Sequence, residues 1–367
     1  MPRGRGIPHT RREEVALSPL QHIPRVAVVG GGAFGRNHLR VYHELESLYP
    51  GELQLTALIE PDETRRSELA ALYDIPAFAS VAEALESEAA PFDAASVCVP
   101  TVHHATVAER LLNAGVDVLI EKPFAASLAQ ADRVLTLADR NHRILQIGHL
   151  ERFNPAVTAA ADRVTRPMFF EAHRLSVFTP RSLDVDVVLD LMIHDLDVVL
   201  SLTKSAVKEV RAVGLPVLSP KVDIANVRVE FNSGCVANFT ASRVSTEQVR
   251  KLRLFQPHEY LSLDFARQEL LTIKVDPALL AELASGAHGA SETLGVADAS
   301  HPSRGLSLEK LDPPRAEPLR LELEAFLAAV RNRTQPRVTG AAGRAALALA
   351  LEINEQIASH AHRTGLA

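Results

Sequence analysis

From residue 25 to about 150, short apolar runs alternate with amphipathic stretches. The runs Val26–Val29, Leu53–Ile59, Ala94–Val99, Val116–Ile120 and Ile144–Gly148 read as strands. Between them, apolar residues recur at helical spacing around Leu39–Leu48, Glu63–Tyr73, Val81–Glu86, His104–Asn113 and Leu128–Arg140. Gly115 is placed to stop the fourth helix, and Ser127 with Gln130 forms a capping box opening the fifth. Strands this short and apolar are buried on both faces, which predicts a doubly wound parallel sheet with ligands at the carboxyl ends of its strands.

After about residue 165 the texture changes. Met168–Val177, Ala206–Leu215, Asp223–Phe231, Cys235–Val244, Lys251–Gln256, Glu259–Phe265 and Glu269–Val275 are strand-like, divided by turn signals at Asn232–Gly234 and Gln256–Pro257. This predicts an α+β unit with an open-faced, mostly antiparallel sheet, interrupted by one helical insertion over Val187–Leu202. Residues 282–315 read as a surface excursion with one strand near Gly305–Leu311, and two helices close the chain over Glu317–Arg331 and Gly343–His360. The expected organisation is a disordered tail (1–23), a dinucleotide-binding Rossmann unit (24–150) and a sheet unit for substrate and oligomerisation (151–340). A closing helix (341–367) then packs back on the first unit.

Composition changes this picture little. With 367 residues and a net charge of −6, the chain is long enough for two domains and gives no electrostatic case for a nucleic-acid partner. The early arginines, Arg3, Arg5, Arg11 and Arg12, lead into no apolar signal region, and no apolar run is long enough to span a membrane. Cys98 and Cys235 fall in apolar strands and read as buried free thiols of a cytoplasmic protein.

The candidate chemistry begins at the first strand, where R-V-A-V-V runs into G-G-G-A-F-G. Gly30 makes the tight turn, Gly32 lets the backbone approach a pyrophosphate, and Gly35 lets helix and strand pack closely. Ala33 and Phe34 open the helix whose N-terminus would face the phosphates. Glu60 ends the second strand, where a carboxylate accepts hydrogen bonds from a ribose diol and repels a 2′-phosphate. It argues for NAD over NADP, a preference that Arg65 and Arg66 can soften. Pro100, Thr101 and His104 follow the next strand, and Glu121-Lys122-Pro123 ends the one after. A lysine there can orient a substrate hydroxyl or help remove its proton. In D-L-M-I-H-D-L-D, Asp190 and His194 are four apart, so on a helix they share a face and Asp190 would orient the imidazole and raise its basicity. Taken alone, E-K-P is a common loop tripeptide and the histidine an incident on a solvated helix. His194, Asp195 and Asp197 do not share one face, so no metal site is expected.

In this order and spacing, the glycine-rich turn, V-P-T-x-x-H, E-K-P and the D-x-x-x-H helix resemble the Gfo/Idh/MocA oxidoreductases. L-E-L-E-A-F-L-A-A-V-R-N-R-T-Q-P-R-V-T-G (Leu321–Gly340) resembles the family's returning helix and loop, so the likeness covers about residues 25 to 360. It implies a Rossmann domain followed by an open-faced mixed sheet, and oxidation of a sugar or cyclitol carbinol. Lys122, Asp190 and His194 become the expected catalytic group. Gly30, Gly32, Gly35, Glu60, Pro100, Thr101, His104 and Glu121 become cofactor contacts.

Gln146–Val157 and Phe178–Asp197 resemble more narrowly the family's UDP-N-acetylglucosamine 3-dehydrogenases, whose 3-keto product an aminotransferase converts to a 3-amino sugar for lipid A or other surface glycans. Arg152 and Arg181 would fork onto phosphate oxygens, Asn154 would bond sugar hydroxyls, and His149 and Glu151 would face the same pocket. A dehydrogenase of a free sugar or inositol is the alternative within the fold, and a non-catalytic dinucleotide sensor the alternative outside it. The uncovered sheet face predicts a homodimer or homotetramer.

Overall fold

The parallel sheet follows directly from the five apolar runs. In the computed structural model, which describes residues 23–178, 185–276, 280–281, 285 and 305–365, they become β1 (Arg25–Val29), β2 (Gln54–Ile59), β4 (Ala94–Val97), β5 (Asp117–Glu121) and β6 (Leu145–Gly148). A two-residue strand, β3 (Ala77–Phe78), is too short to leave a pattern in the sequence. The order is β3-β2-β1-β4-β5-β6, all parallel, the arrangement of a dinucleotide-binding sheet. Register aligns the strand ends: Val29 pairs with Ile59 and Val97, Val97 with Ile120, and Ile120 with Ile147. Gly30, Glu60, Cys98, Glu121 and Gly148 therefore lie along one carboxyl edge.

The intervening helices are α1 (Ala33–Leu48), α2 (Glu63–Tyr73), α3 (Val81–Glu86), α4 (Thr101–Asn113) and α5 (Leu128–Arg140). Side chains cap three of them, Asp62 accepting from the Arg65 amide, Ser80 from Glu83 and Ser127 from Gln130. The return arm of the Ser127 box lands one residue early, with Gln130 Oε1 accepting from the Ala126 amide. Gly115, with a φ of +80°, follows the end of α4 as expected.

A 3₁₀ turn (Leu150–Phe153) and α6 (Pro155–Ala161) then lead into an eight-stranded mixed sheet. Its strands are β7 (Phe169–Val177), β8 (Val207–Leu215), β9 (Ile224–Phe231), β10 (Val236–Ser245), β11 (Val249–Gln256), β12 (Glu259–Asp264), β13 (Glu269–Val275) and β14 (Leu306–Leu311). The order is β14-β13-β12-β11-β7-β10-β9-β8; only the β7–β10 pair is parallel. Strict alternation in β9, with Ala225, Val227, Val229 and Phe231 inward, buries one face and leaves the other open. Covering the buried face are a one-turn π-helix (Val188–Met192), α7 (Ile193–Thr203) and part of α9 (Gly340–Thr364).

The two closing helices bind the sheets together. Along α8 (Pro318–Asn332), Leu319, Leu323, Phe326, Leu327 and Val330 enter the core of the parallel sheet. The chain thus returns to the first lobe before residue 340, earlier than the division at 341 anticipated. The next helix, α9, divides its apolar surface: Leu347 packs in the parallel sheet's core, while Ala346, Leu349, Ala350, Ile353 and Ile357 pack in that of the open sheet. The early tail to residue 22, Arg181 and most of 282–315 lie outside the described residues. No helix among the described residues is long and apolar enough to cross a membrane.

Candidate functional site

Backbone sterics fix the glycine turn. Gly30 has a φ of +98°, and a Cβ on it would lie 2.7 Å from the Cys98 carbonyl oxygen. At Gly35 a Cβ would overlap the Gly30 carbonyl, so this residue permits the helix to start against the strand. Gly32 is different: a Cβ there meets nothing within 4 Å, and as N-cap of α1 it supplies no side-chain acceptor. The first turn of α1 therefore has no side-chain cap, and the open space beside Gly32 suits close approach of a pyrophosphate.

Beside this turn runs a cleft of about 650 Å³, lined by Gly30, Gly32, Glu60, Arg65, Cys98 and Pro100 among others. Glu60 Oε2 accepts from the Gly31 amide at 2.7 Å, while Oε1 accepts from the Asp62 amide and from Arg65. One carboxylate thus fixes the turn and the far end of the cleft together. Arg66 donates to the Glu60 and Pro61 carbonyls.

Helix α4 shows which of two adjacent histidines faces the cleft. Pro100, His103, Val107 and Arg110 line it at spacings of one helix face. His104, expected as a cofactor contact, is 1% exposed, and its two ring nitrogens meet the carbonyls of Val99 and Pro123 at 2.8 and 2.9 Å. It braces the E-K-P turn. Glu121 also turns inward, bonding His38 Nε2 at 3.0 Å and the Lys122 amide at 3.3 Å, and Thr101 does not line the cleft. Gly30, Gly32, Glu60 and Pro100 border the cleft. Ala33 and Phe34 form the first turn of α1, with Phe34 set against the His38 ring at 5.7 Å.

Lys122 joins the two lobes. Its Nζ donates to the Asp190 carbonyl at 2.8 Å and lies 3.5 Å from Asp190 Oδ1. The expected Asp190–His194 pairing does not form, because the chain makes a π turn over Val188–Met192 and the four-residue spacing no longer stacks the two side chains. His194 Nδ1 is buried without a partner. Rather than being made more basic, the ring is pushed well below the usual 6.5, first by burial and then by the Lys122, Arg174 and Arg250 charges. The imidazole is neutral near pH 7 and can accept a proton.

Around this group lie residues with other tasks. Asn154 caps α6, accepting from the Ala156 amide, and spends both amide donors on Glu151 and the Phe265 carbonyl. Glu151 is 5% exposed and accepts from Arg174 Nη1 at 3.0 Å, while Arg174 Nη2 and Nε grip Asp195 at 2.8 and 2.9 Å. Burial acts against the Arg174 charge, but Asp195 and Glu151 outweigh it and hold the pKa above the usual arginine value. Arg152 meets Asp197 at 3.4 Å and borders a separate cavity with Lys204, Arg344 and Glu352, which neither Lys122 nor His194 lines. His149 is fully buried, with neither ring nitrogen bonded. Of Glu151, Arg152, Asn154 and His149, Arg152 borders this cavity and the other three are buried.

Two residues carried no sequence flag. Arg250, at the start of β11, is considered below. Glu322 is buried on α8 with neither carboxylate oxygen bonded, and burial, Glu121 and Asp197 push it well above the ordinary 4.5. The folded chain therefore holds a proton that the unfolded chain releases, and stability falls as pH rises through the window above 4.5. Glu322→Gln removes that loss. Thermal melts are expected to show Glu322→Gln gaining more over wild type near pH 8 than near pH 5; equal gains would mean that Glu322 is charged and paired.

Known proteins align with this geometry. Residues 24–149 match a profile described as the oxidoreductase family with an NAD-binding Rossmann fold, and residues 157–255 match the GFO/IDH/MocA C-terminal domain. UDP-N-acetylglucosamine 3-dehydrogenase of Acidithiobacillus ferrooxidans is 36% identical over 340 residues, 92% of this chain and 99% of that one. A crystal form of that enzyme superposes with a TM-score of 0.80, covering 92% of this chain and 98% of its own. Myo-inositol dehydrogenase Hyg17 of Streptomyces leeuwenhoekii is 32% identical over 210 residues, 54% of this chain and 61% of its own. The glycine turn, the lysine tying the parallel sheet's edge to the π turn and these likenesses converge: the chain belongs to the Gfo/Idh/MocA family of oxidoreductases.

Proposed function

We propose that the protein oxidises the C3 hydroxyl of a nucleotide sugar of the UDP-N-acetylglucosamine type to the 3-keto sugar, with NAD. The observation that carries this is the Lys122 contact to Asp190, which brings the carboxyl edge of the parallel sheet against the segment holding a neutral His194. Similarity along 92% of the chain to a UDP-N-acetylglucosamine 3-dehydrogenase supports the choice of substrate over a free sugar or inositol.

In this reading Lys122 donates a hydrogen bond to the substrate hydroxyl and stabilises oxygen as it loses its proton. His194 takes that proton, and Asp190 keeps the lysine in place. The nicotinamide supplies a hydride acceptor, so alignment of the carbinol carbon is the protein's main contribution. The cofactor-holding lobe is residues 24–150 with α8 added, and the substrate lobe is the open sheet with its helices. A cytoplasmic setting follows from the cofactor and substrate. The aromatic cluster Phe169, Phe255 and Tyr260, ring centroids 5.6 and 4.9 Å apart, supports a homodimer or homotetramer through the open face.

The test is direct: purified protein with NAD and UDP-N-acetylglucosamine should generate NADH and a product lighter by two hydrogens. Turnover of myo-inositol or glucose instead would favour the free-polyol reading, and no turnover across such a panel would favour the sensor.

Cofactor choice rests on Glu60. Its carboxylate borders the cleft and restrains Arg65 at 3.2 Å. Glu60→Ala is expected to raise the KM for NAD about ten- to hundredfold, the usual worth of a charge-assisted hydrogen bond. Freed Arg65 would then favour a 2′-phosphate, so kcat/KM for NADP should rise relative to NAD. An unchanged NAD/NADP ratio would remove Glu60 from cofactor selection.

A further inference from the structure

The open sheet carries one arginine at the site with no stated task. Arg250 and Arg174 face each other as cross-strand partners on β11 and β7, a juxtaposition of like charges that is unfavourable by itself. Arg174 is fully engaged by Asp195 and Glu151, and Asn154 takes the other Glu151 oxygen. Formal charges balance across the two arginines, Asp195 and Glu151, but hydrogen bonds do not. The Arg250 side chain makes no hydrogen bond or ion pair among the described residues, and its Nε is buried without a partner.

Its place matters as much as its isolation. Asp195, held by Arg174, is the residue after His194, and the Arg250 charge is felt at the His194 ring. Burial and the facing Arg174 act against the Arg250 charge more than Glu151 and Asp195 support it, so an anion arriving there is favoured. Of the arginines first considered for phosphate, Arg152 is turned to Asp197.

We propose that Arg250 is the residue that recognises the substrate's diphosphate, giving its unpartnered planar fork to the anionic oxygens of a nucleoside-diphosphate sugar held beside His194. Such a fork matches phosphate oxygens in pairs. The diphosphate hangs from the anomeric carbon of the same ring whose carbinol is oxidised, so a cation close to the base meets it. This rests on the nucleotide-sugar reading, and an uncharged polyol would give Arg250 nothing to neutralise.

The test is calorimetric titration of the NADH-saturated protein with UDP-N-acetylglucosamine and with UDP, for wild type, Arg250→Gln and Arg250→Lys. Arg250→Gln is expected to weaken both ligands about ten- to hundredfold and to flatten the loss of affinity with added salt, while NADH affinity stays at the wild-type value. Arg250→Lys keeps the charge without the fork and should fall between the two, which keeps the test open if the glutamine variant does not fold. Affinities for both nucleotides within about twofold of wild type in the variants, against a charged-bond scale of tenfold or more, would overturn the proposal. Binding of UDP through Arg250 without oxidation of UDP-N-acetylglucosamine would retire the reaction and leave the inference standing. Oxidation with unchanged affinities would do the reverse, and no binding of either nucleotide by wild type would retire both.

Discussion

Replacing His194 with alanine is expected to lower kcat by about 10²- to 10⁴-fold, the usual contribution of a positioned proton acceptor, while NAD affinity stays near wild type. Lys122→Met should cost a similar amount, because it removes both the donor to the developing oxyanion and the tie to the Asp190 carbonyl. A double variant should be little worse than the worse single one, since both groups act on the same proton transfer. The pH profile separates the two roles. A neutral imidazole is the active form, so activity falls as pH drops through the His194 pKa. That pKa is depressed first by burial and then by Lys122. Lys122→Met removes the second cause, so its acidic limb in kcat/KM should move to higher pH. His194→Ala should lose the limb. Near wild-type turnover in both variants, or an acidic limb that stays put in Lys122→Met, would remove the assigned roles.

The fold was legible where burial is periodic. Apolar runs ending in glycine, proline or acid marked the strands of the parallel sheet, and alternation marked the second sheet, because both patterns come from short-range geometry. The site was legible only in part. Choosing His104 over His103 as the cleft residue was a matter of helix phase, and phase was readable: His104, Ala108, Leu111 and Leu112 form the buried stripe, leaving His103 with Val107 and Arg110 outside it. Glu322 had a similar signal, standing in register with Leu319, Leu323, Phe326 and Val330. No such signal exists for the π turn that separates Asp190 from His194, since one inserted residue per turn leaves no mark on composition. Nor is there one for Arg174, Glu151 and Asp195, which meet across more than twenty positions of chain. Glu151 and Asn154 look like pocket residues in the sequence because they are polar. In the structure the same polarity satisfies buried donors and acceptors.

That buried triad leads to the second large effect, one of stability rather than chemistry. Arg174→Met leaves Glu151 and Asp195, 5% and 2% exposed, without the guanidinium that bridges them. Removing one partner of a buried ion pair costs about 3–5 kcal/mol, because the stranded charge has lost its solvent and its counter-ion together. Methionine fills similar volume, so loss of packing contributes little. Urea denaturation should place the Arg174→Met midpoint well below wild type. The loss should shrink by at least half in Arg174→Met combined with Glu151→Gln and Asp195→Asn, which keeps the shape and removes the stranded charges. This triple variant separates electrostatics from packing: if it is as unstable as Arg174→Met alone, the arginine holds the sheet by its contacts and not by its charge. Because Asp195 adjoins His194, the same rescue can be followed in turnover. Stability restored without activity would show that the triad also fixes where the imidazole sits.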